Sequence, residues 1–293
     1  MQSAAIGARS QITAGILVMC AGIFCLCVND AIAKQLTSGY SPIQILFLRN
    51  IIALPIAVLI ACMMGGRNAL RSYRPVAHLV RGVLWIGAAT TFFTSMIYLE
   101  LAEATALVFA APVFVTALSA LILKEQVGWR RWSAVLIGFL GVLVIVRPGA
   151  GTFQTASLLP VATAIFYAVM MISARWVDQR ESVWTLMLYL TGAGALLSAL
   201  IAPFFWSPVK PEDLKLFIGI AVFGTAGVTM ITQAFRMAPA SVVAPFDYGA
   251  LLWATLFGWL FWNEIPGPIT FVGAGIIIAS GIFIVLRERQ LKE

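Results

Sequence analysis

The sequence predicts an all-α membrane protein of ten transmembrane helices, arranged as two inverted five-helix repeats. Three observations predict it. Of 293 residues, 61% are hydrophobic and 11% are charged, whereas an ordinary soluble domain carries about 25% charged residues. Apolar runs of about 20 residues, each matching the roughly 30 Å hydrocarbon layer of a bilayer, recur along the whole chain. Features of the first half return in the second at offsets of 136 and 139 residues.

The ten runs cover residues 11–35, 43–64, 76–98, 104–123, 131–147, 155–175, 184–206, 214–236, 241–262 and 269–286. They are solid rather than alternating, which favours helices over a barrel. The links are short and carry Pro, Gly or charge, as in GGRNALRSYRP and NEIPGP. The first run includes Ala31-Ile32-Ala33, which resembles a signal-peptidase site. Its apolar part, Ile12 to Val28, exceeds the usual core of a signal peptide, so it is expected to remain as a first helix.

Basic residues alternate between the links. With the N-terminus inside, 14 of the 19 Lys and Arg fall on one face of the membrane, four on the other, and Arg49 lies within it. The positive-inside rule then places both termini in the cytoplasm. The net charge of +7 is thus a topology signal, and no nucleic-acid partner is expected.

The repeat joins Ala102-Glu103-Ala104-Thr105 to Ala238-Pro239-Ala240-Ser241, and Lys124-Glu125 to Asn263-Glu264. The halves are expected at residues 1–149 and 150–293. Five helices per half is an odd number, so the second copy enters the membrane from the opposite side, the plan of many secondary transporters. Pro112 and Pro245 lie at comparable depth in the two fourth spans and are read as hinges, because proline withholds a backbone donor.

Polar groups within the spans point to the site. Residues 30 and 49 lie about nine residues from the turn near Gly39-Tyr40, or some 10 Å below the surface at 1.5 Å per residue. An ion pair between Asp30 and Arg49 is expected at that depth, either locking helices 1 and 2 or facing a solute cavity. Lys34 is a competitor for the same carboxylate. Asn29, Asp247, and the aromatics Phe92, Tyr98, Tyr167 and Tyr248 complete the candidate substrate-binding set. A stripe of Pro160, Thr163, Tyr167 and Met170 fits either a solute path or helix packing. Glycines in the fifth and tenth spans suggest close helix contact.

The four cysteines lie in spans, and His78 stands in a basic loop, so neither a metal site nor a disulfide framework is expected. No HExxH, GxSxG or P-loop pattern occurs, which argues against an enzyme, against direct ATP coupling and for no cofactor. No filter-like motif suggests a channel.

The ten spans in two halves, the Ala-x-Ala-Ser/Thr entries, Glu125 and Glu264 closing the fourth and ninth spans, Asn29-Asp30-Ala31-x-x-Lys34 and Phe47-x-Arg49-Asn50 together resemble the EamA-type drug/metabolite transporters. The resemblance covers essentially the whole chain. It implies a monomeric carrier of small organic solutes in the bacterial inner membrane, working by alternating access. Members it resembles export aromatic and other amino acids or carry riboflavin, nucleotide-sugar-like compounds or S-adenosylmethionine. Export of an aromatic or apolar amino acid is the expectation, with a cofactor-type metabolite such as S-adenosylmethionine or riboflavin as the alternative.

Overall fold

The computed structural model describes residues 2–122, 128–146, 154–173 and 181–290, all of whose regular structure is helical. Twelve helices follow in order: α1 (Gln2–Leu36), α2 (Pro42–Gly65), α3 (Pro75–Ser95), α4 (Leu101–Val108), α5 (Ala111–Ile122), α6 (Trp129–Val146), α7 (Leu158–Ser173), α8 (Val183–Ile201), α9 (Leu214–Met237), α10 (Ala240–Asp247), α11 (Ala250–Trp262) and α12 (Pro268–Gln290). They make ten spans, because α4 with α5 and α10 with α11 are each one broken span. Lys124 and Glu125, part of the expected repeat, lie outside the described residues.

Helix boundaries follow local chemistry. Ser41 caps α2 by accepting from the Gln44 N–H, with Pro42 at the first helical position. Ser182 does the same for α8 through Thr185. Asn263 takes the left-handed conformation at φ 55° to end α11, a role suited to asparagine. Large apolar side chains such as Leu59, Leu200 and Leu252 stand exposed around the bundle, the surface that lipid rather than water solvates.

The packing obeys a two-fold rule. The α1·α9 contact of the first and eighth spans has its mate in α3·α7, the third and sixth; α2·α9 is mirrored by α3·α8; α2·α8 and α6·α12 pair equivalent helices. The principal contacts therefore run between halves. At α6·α12, Gly141 and Gly273 face each other's backbone, and a Cβ on either would lie about 3 Å from the opposing carbonyl (3.0 and 2.9 Å). Close packing is the meaning of Gly141 and Gly273, as expected, whereas Gly275 of α12 faces open space.

The breaks are also symmetric. The fourth span opens at Phe109-Ala110 and the ninth at Tyr248-Gly249, again an offset of 139. Their rings meet edge-on, 5.1 Å between centroids. Neither break sits on its proline. Pro112 lies in the first turn of α5, where a missing N–H costs nothing. Pro245 lies within α10, and the helix runs on before parting at Gly249.

Polar networks stitch both ends of the bundle. At the Tyr40 end, Gln44 exchanges two hydrogen bonds with Ser207, and the Tyr40 hydroxyl donates to Asp213 at 2.7 Å. Lys34 there meets Glu264 at 2.6 Å and donates to the Leu99 carbonyl, while Glu264 accepts from the Leu101 N–H at the start of α4. Burial and the neighbouring Glu264 carboxylate push the Glu100 carboxyl above the usual range, opposed by Lys34. Lys34→Ala is expected to cost about 2 kcal/mol by stranding these partners. It should show as earlier thermal unfolding in detergent; an unchanged midpoint would mean the bridge does not hold this end together.

Candidate functional site

Arg49 and Asn50 lie where the second turn of α2 passes into the third and are almost fully buried, at 5% and 3% exposure. Two glycines on the facing helices make that burial possible. A Cβ at Gly224 of α9 would fall 2.6 Å from Arg49 Nη2 and 2.7 Å from Nε, and would also meet Asn29 Oδ1. A Cβ at Gly194 of α8 would fall 2.7 Å from Asn50 Nδ2. Bare backbone thus lets the guanidinium and the amide lie directly on these helices. Trp85 of α3 covers Arg49 from another side, 5.7 Å from the guanidinium carbon to the ring centre, close enough for a cation–π contact.

The centre draws on both halves: α1, α2 and α3 from one, α8 and α9 from the other. It encloses about 20 Å³, lined by Arg49, Asn50, Trp85, Thr191, Gly224 and Thr225 among others, room for a single small molecule such as water. Its polar groups are poorly matched. Arg49 Nε, Asn50 Nδ2 and Asn29 Oδ1 have no hydrogen-bond partner among the described residues. Buried polar atoms normally have one.

The expected Asp30–Arg49 ion pair is absent among the described residues. Asp30 instead accepts from the Asn29 amide at 2.9 Å, and it acts on Arg49 through space rather than by contact. Lys34 does not compete for Asp30, because it is committed to Glu264. The reason is rotation. Successive residues on a helix point about 100° apart, and α1 turns Asn29, not Asp30, onto Arg49.

Other sequence-derived candidates fall elsewhere. Asp247 and Tyr248 stand at the α10–α11 break, where the Tyr248 hydroxyl presses on Gly281 of α12. Cys27, one turn before Asp30, contacts the Ala250 carbonyl just past that break at 3.7 Å. Helix α1 therefore runs between the two centres. Phe92 and Tyr167 are half-buried against the main core. Tyr98 leaves the interior altogether: α3 ends at Ser95, and Tyr98 lies on the following turn, 62% exposed. In the α7 stripe, Thr163 makes a packing contact, bonding Thr91 at 2.7 Å across to α3.

His78 is a second correction. It lies in the first turn of α3, only 2% exposed, not in a loop. Its Nε2–H donates to Glu181 at 2.5 Å, and Glu181 also accepts from the Ser72 hydroxyl and the Tyr73 N–H, each at 2.8 Å. Burial pushes the Glu181 carboxyl up, but these donors outweigh it and hold it below its ordinary value. Arg236 of α9 donates to the Glu181 carbonyl, so this knot ties the α2–α3 loop, α3 and α9 to the start of α8.

Sequence reading passed over Glu181, Thr191, Gly194, Gly224 and Thr225. The only signal for the last four was small and hydroxyl residues interrupting otherwise apolar spans.

Ten membrane-crossing helices in two interlocked halves, each with one broken span and with an unmatched polar centre between them, define a multi-pass membrane transporter. The chain belongs to the EamA-like transporter family, whose profile matches residues 13–147 and again 154–286, within the drug/metabolite transporter superfamily. It is similar to the S-adenosylmethionine uptake transporter of Rickettsia prowazekii, 28% identical over 90% of this chain and 89% of the relative. It also resembles the riboflavin transporter of Vibrio cholerae serotype O1, 30% identical over 97% and 94% of the two chains, and the pseudopaline exporter of Pseudomonas aeruginosa, 27% identical over 92% and 94%. A solved crystal structure 21% identical superposes with a TM-score of 0.64 over 96% of this chain and 99% of its own, a likeness of fold. None of these named relatives is called an amino-acid exporter, so the expectation of aromatic amino-acid export lacks support, and their names fit the cofactor-type alternative better.

Proposed function

We propose that this protein is a secondary carrier of a cofactor-type metabolite, S-adenosylmethionine first and riboflavin second, in the bacterial inner membrane. The Arg49 centre carries the reading: a buried cation that forms no salt bridge among the described residues, set between the two halves where an alternating-access site belongs. The relatives named for S-adenosylmethionine and riboflavin support the solute class. Riboflavin stays as the second reading because Trp85 beside the centre offers a flat ring a stacking surface.

In this mechanism residues 1–149 and 150–293 rock against each other about the breaks at Phe109-Ala110 and Tyr248-Gly249. Pro112 and Pro245 lie within a few residues of those breaks, and Pro245 withholds a backbone donor inside α10. Separation of α2 from α8 and α9 would enlarge the centre and admit solute. Asn29, Asp30 and Arg49 are assigned to solute, while Asp247 and Tyr248 are assigned to the moving joint. Both termini face the cytoplasm, by the distribution of basic residues, and the carrier works as a monomer.

Purified protein in sealed proteoliposomes is expected to take up labelled S-adenosylmethionine saturably, with competition by the unlabelled compound. Saturable uptake of riboflavin alone would select the second reading. Uptake of tryptophan or phenylalanine with neither cofactor would contradict the proposal. An imposed pH gradient on the same vesicles reads out proton coupling.

A further inference from the structure

Five buried side-chain atoms have no hydrogen-bond partner among the described residues, and three of them converge on the Arg49 centre. They are not alike. Arg49 Nε and Asn50 Nδ2 are donors, whereas Asn29 Oδ1 is an acceptor. The acceptor belongs to the residue whose amide holds the Asp30 carboxylate. The centre therefore offers donors and a positive charge on the α2 side and, on the α1 side, one acceptor whose own amide is bonded to the Asp30 carboxylate. All three unsatisfied residues are at most 5% exposed.

From this arrangement we infer that the centre is a subsite for an α-amino-acid zwitterion. The solute carboxylate docks on Arg49 and Asn50, and its ammonium turns to Asn29 and Asp30. An inward-facing arginine without a carboxylate partner is costly in a membrane, and a planar carboxylate is the anion that its forked donors match best. The opposed acceptors exclude a phosphate or a plain dicarboxylate, which would bring a second negative charge against Asp30. The remainder of the solute lies beyond Trp85 and Thr225, in space made when the halves part. This inference rests on the carrier reading and deepens it: S-adenosylmethionine ends in such a zwitterion and riboflavin does not.

The test is equilibrium binding to the purified full-length protein, with S-adenosylmethionine and its decarboxylated analogue, tryptophan and tryptamine, and riboflavin as probes. Wild type is expected to bind at least one of the two acids, with its decarboxylated mate about thirtyfold or more weaker. Arg49→Gln is expected to abolish that preference, while Arg49→Lys recovers part of it. Arg49 makes no ion pair among the described residues that its loss would break, and monodisperse elution verifies that each variant is folded. If Arg49→Gln fails to fold, the paired probes on wild type decide alone.

Equal affinity for an acid and its decarboxylated mate overturns the inference. So does riboflavin binding without binding of either acid, which leaves the cofactor-carrier reading standing. Binding of no probe by folded wild type removes both.

Discussion

Gly224→Ala is expected to lower solute uptake at least thirtyfold while the protein still folds and inserts. The added methyl would stand 2.6 Å from Arg49 Nη2 and 2.7 Å from Nε, well inside van der Waals contact. It would crowd the Asn29 amide oxygen as well, and because every obstructed atom is a side-chain end, these side chains, not the backbone of α9, give way. Alanine is also the better helix former by about 1 kcal/mol, which offsets the local strain. The loss should therefore fall on transport: a displaced guanidinium forfeits a charged contact with solute, and removing one partner of such a contact costs about 2–5 kcal/mol. Uptake per milligram of reconstituted protein, with expression and thermal midpoint measured beside it, separates the two effects. Unchanged uptake would remove the Arg49 centre from the solute path.

Glu181→Ala is expected to be the most damaging single change for stability. Glu181 is 4% exposed and gathers three donors, from His78, Ser72 and Tyr73. Alanine leaves the buried His78 ring without its acceptor and takes the carboxylate away from the Ser72 hydroxyl and the Tyr73 N–H, and each hydrogen bond to a charged group contributes about 1 kcal/mol or more. A loss of about 3 kcal/mol lowers the thermal midpoint by roughly 5–10 °C in a chain of this size. Glu181→Gln, which keeps acceptors but not charge, should recover part of it.

The depressed carboxyl also sets a sign for pH. Its ordinary value is 4.5 and the folded value lies lower, so its contribution is complete above about pH 4.5 and fades as pH falls through the folded value. Glu181→Gln should lose that acid-side dependence. If the two proteins responded identically to acid, the carboxylate would not be the group responsible.

How far the sequence reached depends on which dimension is asked about. Spans and their number were legible because a bilayer imposes one length and one composition on every helix. The repeat was legible from short matching entries, and the tight glycines of α6 and α12 from composition alone. Depth was legible too: counting from the Gly39-Tyr40 turn correctly set residues 30 and 49 at one level. Azimuth was not. A one-residue difference in facing exchanges Asp30 for Asn29, and no count along the chain fixes which way a buried helix is turned.

Partners remote in sequence were hidden for the same reason. Glu264 lies 230 residues from Lys34 and Glu181 103 residues from His78, and only the interlocking of the halves brings them together. The helix breaks were anticipated by their prolines yet misplaced by a few residues. A proline is accepted in a first turn, as at Pro112, and the ninth span parts at Tyr248-Gly249, past Pro245.

The central claim is that the Arg49 centre faces each side of the membrane in turn. Thr225 lines that centre on α9, and the native thiols Cys20, Cys25, Cys27 and Cys62 are all free. The measurement is modification of Thr225→Cys, in a background without those four cysteines, by a membrane-impermeant thiol reagent in right-side-out and inverted vesicles. Labelling from both sides, slowed by S-adenosylmethionine in each, is the predicted result. Labelling confined to one side, or indifferent to solute on both, would contradict the account.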